Sequence, residues 1–214
     1  MHSNHQLMTF DWVKKVNITF SNKAILPTKY GEFNIISFKK ENDINEHCLL
    51  YLGTIDGQNN VLTRIQSECI IADVFTSRKC DCGEQLDESM RAIAEKGTGI
   101  VLYLRQEGRG IGLFNKINAY ALQDKGQDTI QSSHSLGFDT DLRDFTIAVK
   151  ALEHLNIKSI ELLSNNPDKI EVWENSGINI SKRIPLIIKT NEYNLEYLGV
   201  KKENLNHLLW FSIN

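Results

Sequence analysis

The sequence predicts an α/β protein with a three-layer α/β/α core, a largely parallel sheet and an antiparallel β segment ahead of it. Between Ile25 and Ser67 short β-rich runs follow one another across turn-like breaks, whereas beyond Cys82 strands alternate with stretches of helical period. Alternation of that kind builds parallel strands whose crossover helices cover the sheet. The 214 residues are 41% hydrophobic, which suits a globular core, and 27 acidic against 24 basic residues argue against a nucleic-acid polymer or an anionic membrane as partner. Residues 1–24 carry no clear period and are expected to form an N-terminal arm, with residues 25–214 as a single domain. The opening stretch lacks the apolar core of a signal peptide and no run is long enough to span a bilayer, so a cytoplasmic location is expected.

In order along the chain, FNIISFK, CLLYLGT and VLTRIQS read as strands of an antiparallel meander, separated by ENDINEH and DGQNN. Leu86, Met90 and Ile93 then fall at helical spacing in EQLDESMRAIAEK, with Gly97 as the stop. GIVLYLRQ reads as a buried strand, EGRGIG as a loop and LFNKINAYALQDKG as a helix ending near Gly126. DLRDFTIAVKALEHLN sets Phe145, Val149, Leu152 and Leu155 on one face of a helix, with Asp141 and Arg143 in its first turn. SIELLS is the next strand, PDKIEVWENSG a helix with proline at a permissive start, and INISKRIPLII the last strand. Ligands of such sheets gather at the carboxyl ends of the strands. Those ends carry Ser67 to Cys69, Arg105 to Arg109 and Ser164 to Lys169.

Three of the four cysteines, Cys69, Cys80 and Cys82, crowd into SECIIADVFTSRKCDC. In a cytoplasmic chain so sparing of cysteine, a metal is the better explanation than a disulfide, and Cys80 and Cys82 are too close in sequence to bridge without strain. Three thiolates with an open position suit a catalytic zinc; a fourth ligand from Cys48, His47, His134, His154 or His207 would instead close a structural site. In EGRGIG the glycines frame an arginine and do not match a dinucleotide fingerprint. Free backbone N–H groups beside Arg105 and Arg109 could meet phosphate or a purine edge, or the arginines could make surface salt bridges. Asp141 suits a helix start whether or not it does chemistry, and Ser164 and Lys169 could hold a ligand or merely cap a helix. The HxE and PCxxC signatures of zinc nucleobase deaminases do not occur.

RIQSEC from Arg64, CDCGEQL from Cys80, RQEGRGIGL from Arg105, NKINAYALQDKG from Asn115, DLRDF from Asp141 and SNNPDK from Ser164 together resemble the GTP cyclohydrolase II family of riboflavin synthesis. The resemblance runs in order from about Leu26 to Leu209. It implies one zinc per chain held by Cys69, Cys80 and Cys82, with water as fourth ligand, and Mg²⁺ accompanying the triphosphate. The implied reaction is the first step of riboflavin biosynthesis. Activated water attacks C8 of guanine, the imidazole ring opens, and formate and pyrophosphate leave, giving 2,5-diamino-6-hydroxy-4-(5-phosphoribosylamino)pyrimidine. By the same resemblance Arg64, Ser67, Glu68, Gln85, Glu107, Gly108, Arg109, Thr129, Ser164 and Lys169 surround GTP, with Glu107 reading the guanine edge. Asp141 matches the proton acceptor, Tyr120 a hydroxyl that assists ring opening, and Arg143 a nucleophile at the α-phosphorus. Stabilising charge is a more ordinary task for a guanidinium, which stays protonated. Family members are homodimers, so a homodimer is expected. Three stretches depart from the family: Gln66 stands for His, Gln131-Ser132-Ser133 for Glu-Ala-Asn, and Ser164 for Thr. These leave open a divergent paralogue that acts on another purine nucleotide or stops at the formamide intermediate.

Overall fold

The structure is a computed structural model and describes residues 17–174, 176–204 and 207–208. Its strands are β1 (Ile18–Phe20), β2 (Ala24–Thr28), β3 (Gly31–Lys40), β4 (His47–Leu52), β5 (Val61–Ser67), β6 (Gly99–Leu104), β7 (Ser159–Leu163) and β8 (Asn179–Ile184). They form one mixed sheet in the order β1-β3-β4-β6-β5-β7-β8, with β2 also on β3. Asn34 faces Ile25 on one side and Tyr51 on the other, and Phe38 faces Phe20 and His47, so β1 and β2 share one edge of β3 and β4 takes the other. Pairing is antiparallel from β1 to the β4–β6 seam and parallel among β6, β5, β7 and β8. The predicted antiparallel segment and parallel core are therefore parts of one sheet, but Val61–Ser67, expected in the antiparallel meander, is a parallel strand between β6 and β7, because β4 pairs with β6 instead.

Helices cover both faces: α1 (Ile70–Asp73), α2 (Cys82–Lys96), α3 (Gly112–Gln123), α4 (Thr129–Ser135), α5 (Thr146–His154), α6 (Asp168–Glu171) and α7 (Leu195–Asn204), with a 3₁₀ turn over Glu107–Gly110. Side chains alternate across a strand, and β5 divides its residues accordingly. Val61 and Ile65 join Ile100, Leu102, Leu104 and the α5 residues Ile147, Ala151 and Leu152 in one core. Leu62 joins Val101 and the α2 residues Met90 and Ile93 in the other. Two cores on one sheet make the three layers, and burial on both faces explains the nearly unbroken burial of β5. Gly97, left-handed at φ 76°, ends α2 as its sequence predicts, its N–H bonding back to Ile93 and Ala94.

Several boundaries differ from the sequence reading. Residues 1–16 of the expected arm lie outside the described residues, but Ile18–Phe20 and Ala24 are sheet residues, because their backbone groups find partners along β3. Helix α5 begins at Thr146, so Asp141 and Arg143 are not in a helical first turn. Asp144 stops the helix there by accepting from the Thr146 amide at 2.9 Å. The stretch after Pro167 holds helix only over four residues, with Asn166 Oδ1 accepting from Asp168 N at 2.9 Å. Helices α4 and α7, for which no period was evident, are additional.

Candidate active site

The cysteines converge because the ends of β5 and α2 do. Cys69 lies two residues beyond the end of β5, and its amide donates to Asp73 Oδ2 at 3.0 Å, closing the short helix α1. Cys82 is the first residue of α2. At Gly83 a Cβ would lie 2.6 Å from the Ala72 carbonyl oxygen, so only glycine lets the first turn of α2 approach α1 this closely. The three Sγ atoms lie within 4.8 Å of one another, with Cys69 and Cys80 3.7 Å apart. Tetrahedral zinc with Zn–S near 2.3 Å needs S···S edges of about 3.8 Å, so the cluster fits that ion. Hydrogen bonds from Cys69 and Cys80 hold Cys82 well below the ordinary thiol range, while the bonds Cys80 makes with Cys69 and Cys82 push Cys80 up. Among the described residues no histidine or carboxylate joins the three sulfurs. His47 accepts the Arg105 amide, His154 stacks on Phe20, His134 meets Thr140, and Cys48 lies in β4.

A cavity opens beside the sulfurs. Of the expected residues, Arg64, Ser67, Glu68, Gln85, Gly108 and Arg109 line it, as do Tyr120, Thr129, Arg143, Ser164 and Lys169. Three of its cations have no carboxylate partner among the described residues. Arg64 bonds to Leu163 O, Gln66 Oε1 and Gln85 Oε1, and burial lowers its pKa to about 10. Lys169 donates to Ile65 O at 2.8 Å, and burial followed by repulsion from Arg64 and Arg143 depresses it. Both terminal nitrogens of Arg109 are buried without a hydrogen-bond partner. Buried cations left this way call for an anionic ligand.

Backbone geometry aims Arg109. Gly108, Arg109 and Gly110 have φ of 62°, 59° and 92°, and Arg109 is a non-glycine residue in left-handed space. That strain is held by docking: Leu142 N donates to Arg109 O at 3.0 Å, and a Cβ on Gly110 would lie 3.0 Å from Leu142 Cβ. The docked segment presents Arg143, which also donates to Ser67 Oγ at 3.3 Å.

Two expected residues are not brought to the cavity wall. Asp141 turns onto Arg143, accepting from its backbone N at 3.0 Å and Nε at 2.9 Å and from its Nη2. Burial raises its pKa, but the Arg143 bonds outweigh that and hold it below the usual carboxylate range, which makes it a weak base. Glu107 is likewise engaged. Its Oε2 accepts from Ile70 N at 2.6 Å, and its Oε1 from Gly108 N at 2.8 Å and Lys116 Nζ at 2.6 Å. The free amide at the α1 start and the adjacent lysine draw the carboxylate away from the ligand space expected for it.

Lys116, Tyr197 and Lys201 line the cavity without having been singled out from sequence, and His207, a candidate fourth metal ligand, lines it without joining the three sulfurs. Lys116 Nζ lies 3.1 Å from Cys69 Sγ. A signal for it existed, since Lys116 and Tyr120 are four apart on one helix face.

A sequence model of GTP cyclohydrolase II matches residues 19–185. The chain is 48% identical over 187 residues to GTP cyclohydrolase-2 of Buchnera aphidicola subsp. Acyrthosiphon pisum, covering 87% of this chain and 96% of that one. It is 50% identical over 184 residues to GTP cyclohydrolase-2 of Neisseria meningitidis, covering 86% and 93%. This chain belongs to the GTP cyclohydrolase II family. It is therefore an enzyme, a hydrolase of that family. Against riboflavin biosynthesis protein RibBA of Endomicrobium trichonymphae it is 46% identical over 184 residues, 86% of this chain but 46% of that longer one.

Family membership gives the three departures a structural frame. Gln131 is exposed at the third position of α4, where its side chain accepts from Asp128 N at 3.1 Å while Asp128 accepts from Gln131 N at 2.8 Å. A glutamate performs the same capping-box task, so Gln131 is a helix-end residue rather than a change in the cavity. Ser133 does line the cavity and donates to Thr129 O at 3.1 Å. Gln66 is buried, its Oε1 taking two bonds from Arg64 and its Nε2 donating to Cys82 O at 3.1 Å. It thus ties the cation to the backbone of the cysteine cluster.

Proposed function

We propose that this chain opens the imidazole ring of GTP by zinc-dependent hydrolysis, releasing formate and pyrophosphate at the start of riboflavin synthesis. One observation carries the reading: three thiols at zinc-binding separation face a cavity in which Arg64, Arg109 and Lys169 lack carboxylate partners among the described residues. Relatives named GTP cyclohydrolase-2 at about half identity support GTP as substrate. Cys69, Cys80 and Cys82 would hold the zinc, which when bound supplies a Lewis acid that makes water nucleophilic near neutral pH.

The remaining work falls to the chain's own groups. Arg64, Arg109 and Lys169 bind phosphate oxygens in a site where water screens them little. Burial lowers the Arg143 pKa, but Asp141 more than restores it, so Arg143 remains a cation and stabilises charge on the transferring phosphoryl group. Asp141 is its positioning residue. Burial raises the Tyr120 pKa and keeps the hydroxyl protonated, so that it offers a hydrogen bond to the substrate as the ring opens. Glu68 is the one carboxylate among the described residues lining the cavity, so Mg²⁺ would arrive with the phosphates. Exposed Phe114, Leu113 and Ile117 on α3 offer an apolar face for the expected homodimer. Ser133 in the wall favours a second reading, a paralogue that stops at the formamide.

Incubation with GTP and Mg²⁺, following formate and pyrophosphate together, separates these readings. Both products in equal amounts are expected, with Cys82→Ser losing zinc and both products. Pyrophosphate without formate would establish the second reading, and an intact GTP pool from zinc-loaded protein would overturn the substrate.

A further inference from the structure

The match to the family's sequence model ends at residue 185, yet the cavity has a wall built from beyond it. Helix α7 lies across the cysteine cluster: Tyr197 packs against Cys69, Ala72 and Cys80. Lys201 on the same helix reaches Asp81, between two of the cysteines, and donates to Oδ1 at 2.5 Å. That carboxylate is fixed from its other oxygen by Gln85 Nε2 at 2.6 Å. The chain then folds back, with His207 N bonding Lys201 O at 3.1 Å and Leu208 N bonding Asn165 O at 2.8 Å beside the Ser164 end of β7.

We propose that α7 is part of the substrate site and that Lys201 is a phosphate-binding residue, positioned by Asp81. The inference deepens the reading above and rests on it for a phosphate-bearing substrate. An ammonium has three donors. Among the described residues Asp81 takes one, the Tyr197 ring lies 4.6 Å from Nζ, and the lysine lines the cavity while only 8% exposed. Its neighbours make a purely structural ion pair a poor explanation. Lys201, Arg143, Lys169 and Arg109 all bear on His207, which burial and those four cations push down to about 3. A cation set into a crowd of cations, two of them lacking any carboxylate, adds repulsion that a bound polyanion relieves. Tyr197 supports the placement by offering its ring to both Lys201 and the Arg109 guanidinium, the latter at 5.9 Å.

Calorimetric titration of inorganic tripolyphosphate and, separately, guanosine into the metal-containing protein tests this, with metal content measured before and after. Lys201→Gln should bind tripolyphosphate at least about tenfold more weakly, the scale of one charge-assisted hydrogen bond, and guanosine unchanged. Lys201→Arg should recover most of the loss. Where Lys201→Gln unfolds, the Asp81→Asn/Lys201→Gln pair removes both buried charges, and the same weakening is expected there. Tripolyphosphate binding equal to the parent protein in whichever variant folds would make Lys201 a structural partner of Asp81 and overturn the proposal. A parent protein that binds tripolyphosphate through Lys201 yet yields no formate from GTP would overturn the substrate reading and leave Lys201 in its phosphate role.

Discussion

At Asp141 a carboxylate expected to move protons is spent on a guanidinium. It accepts from the Arg143 backbone and side chain, and those bonds hold its pKa below the usual range. A base that weak gains little in proton transfer, whereas an arginine fixed against Ser67 by a half-buried partner gains much in aim. Asp141→Asn keeps an oxygen for the Arg143 amide but loses the charge and one acceptor, its NH₂ replacing the oxygen that takes Arg143 Nη2. GTP turnover by that variant should therefore fall by about ten- to a hundredfold, the worth of a hydrogen bond to a charged group, with zinc retained. The acid limb of the pH–rate profile should stay where it is. Disappearance of that limb in the variant would return Asp141 to the role of proton acceptor.

Among the elements, the Glu107–Gly110 turn is the one whose backbone is strained for a purpose. Arg109 occupies left-handed space, and Gly110 at φ 92° lies against Leu142 of the segment that carries Arg143. The turn and that segment hold each other, so two cavity arginines depend on one backbone contact. Gly110→Ala adds a methyl group where Leu142 stands and strains φ as well. It should cost about 1–2 kcal/mol of stability and roughly tenfold or more in kcat/KM, because the arginines shift. Thermal melts and kinetics read both, and an unaffected kcat/KM would show that the arginines are aimed independently of the turn. Helix α2 makes the contrasting case. Its glycine at position 83 is needed for close approach to Ala72 rather than for a positive φ, and that approach is what brings Cys82 to Cys69.

For the molecule as a whole, buried neutral histidines tie stability to pH. His47 begins β4 with its Nδ1 accepting the Arg105 amide, and burial lowers its pKa below 6.5; His207 is pushed to about 3. Unfolding lets both take up protons below about pH 6.5. The unfolded state then binds more protons, so stability rises with pH through that window and is lost as pH falls from about 7 toward 5. Melting temperature should drop on acidification over that interval. The drop should be smaller in His47→Gln, whose amide oxygen still accepts from Arg105 N. Equal drops in the two proteins would remove His47 as a source of the dependence. No helix among the described residues is long and apolar enough to cross a membrane.

The sequence by itself determined what is local or periodic. The three cysteines, the strand runs around Val61–Ser67 and Gly99–Leu104, the stop at Gly97 and the family membership all follow from neighbours in the chain. What only tertiary structure decided is where side chains outside regular elements point. Glu107 was drawn to the Ile70 amide 37 residues away in the chain, and Asp144, not Asp141, set the start of α5. Helix α7 has little amphipathic period to announce it, and it enters the site through a Lys201–Asp81 pair separated by 120 residues. Periodicity reports which face of an element is buried, but a charged side chain near a cavity takes its direction from whichever desolvated partner the fold brings beside it.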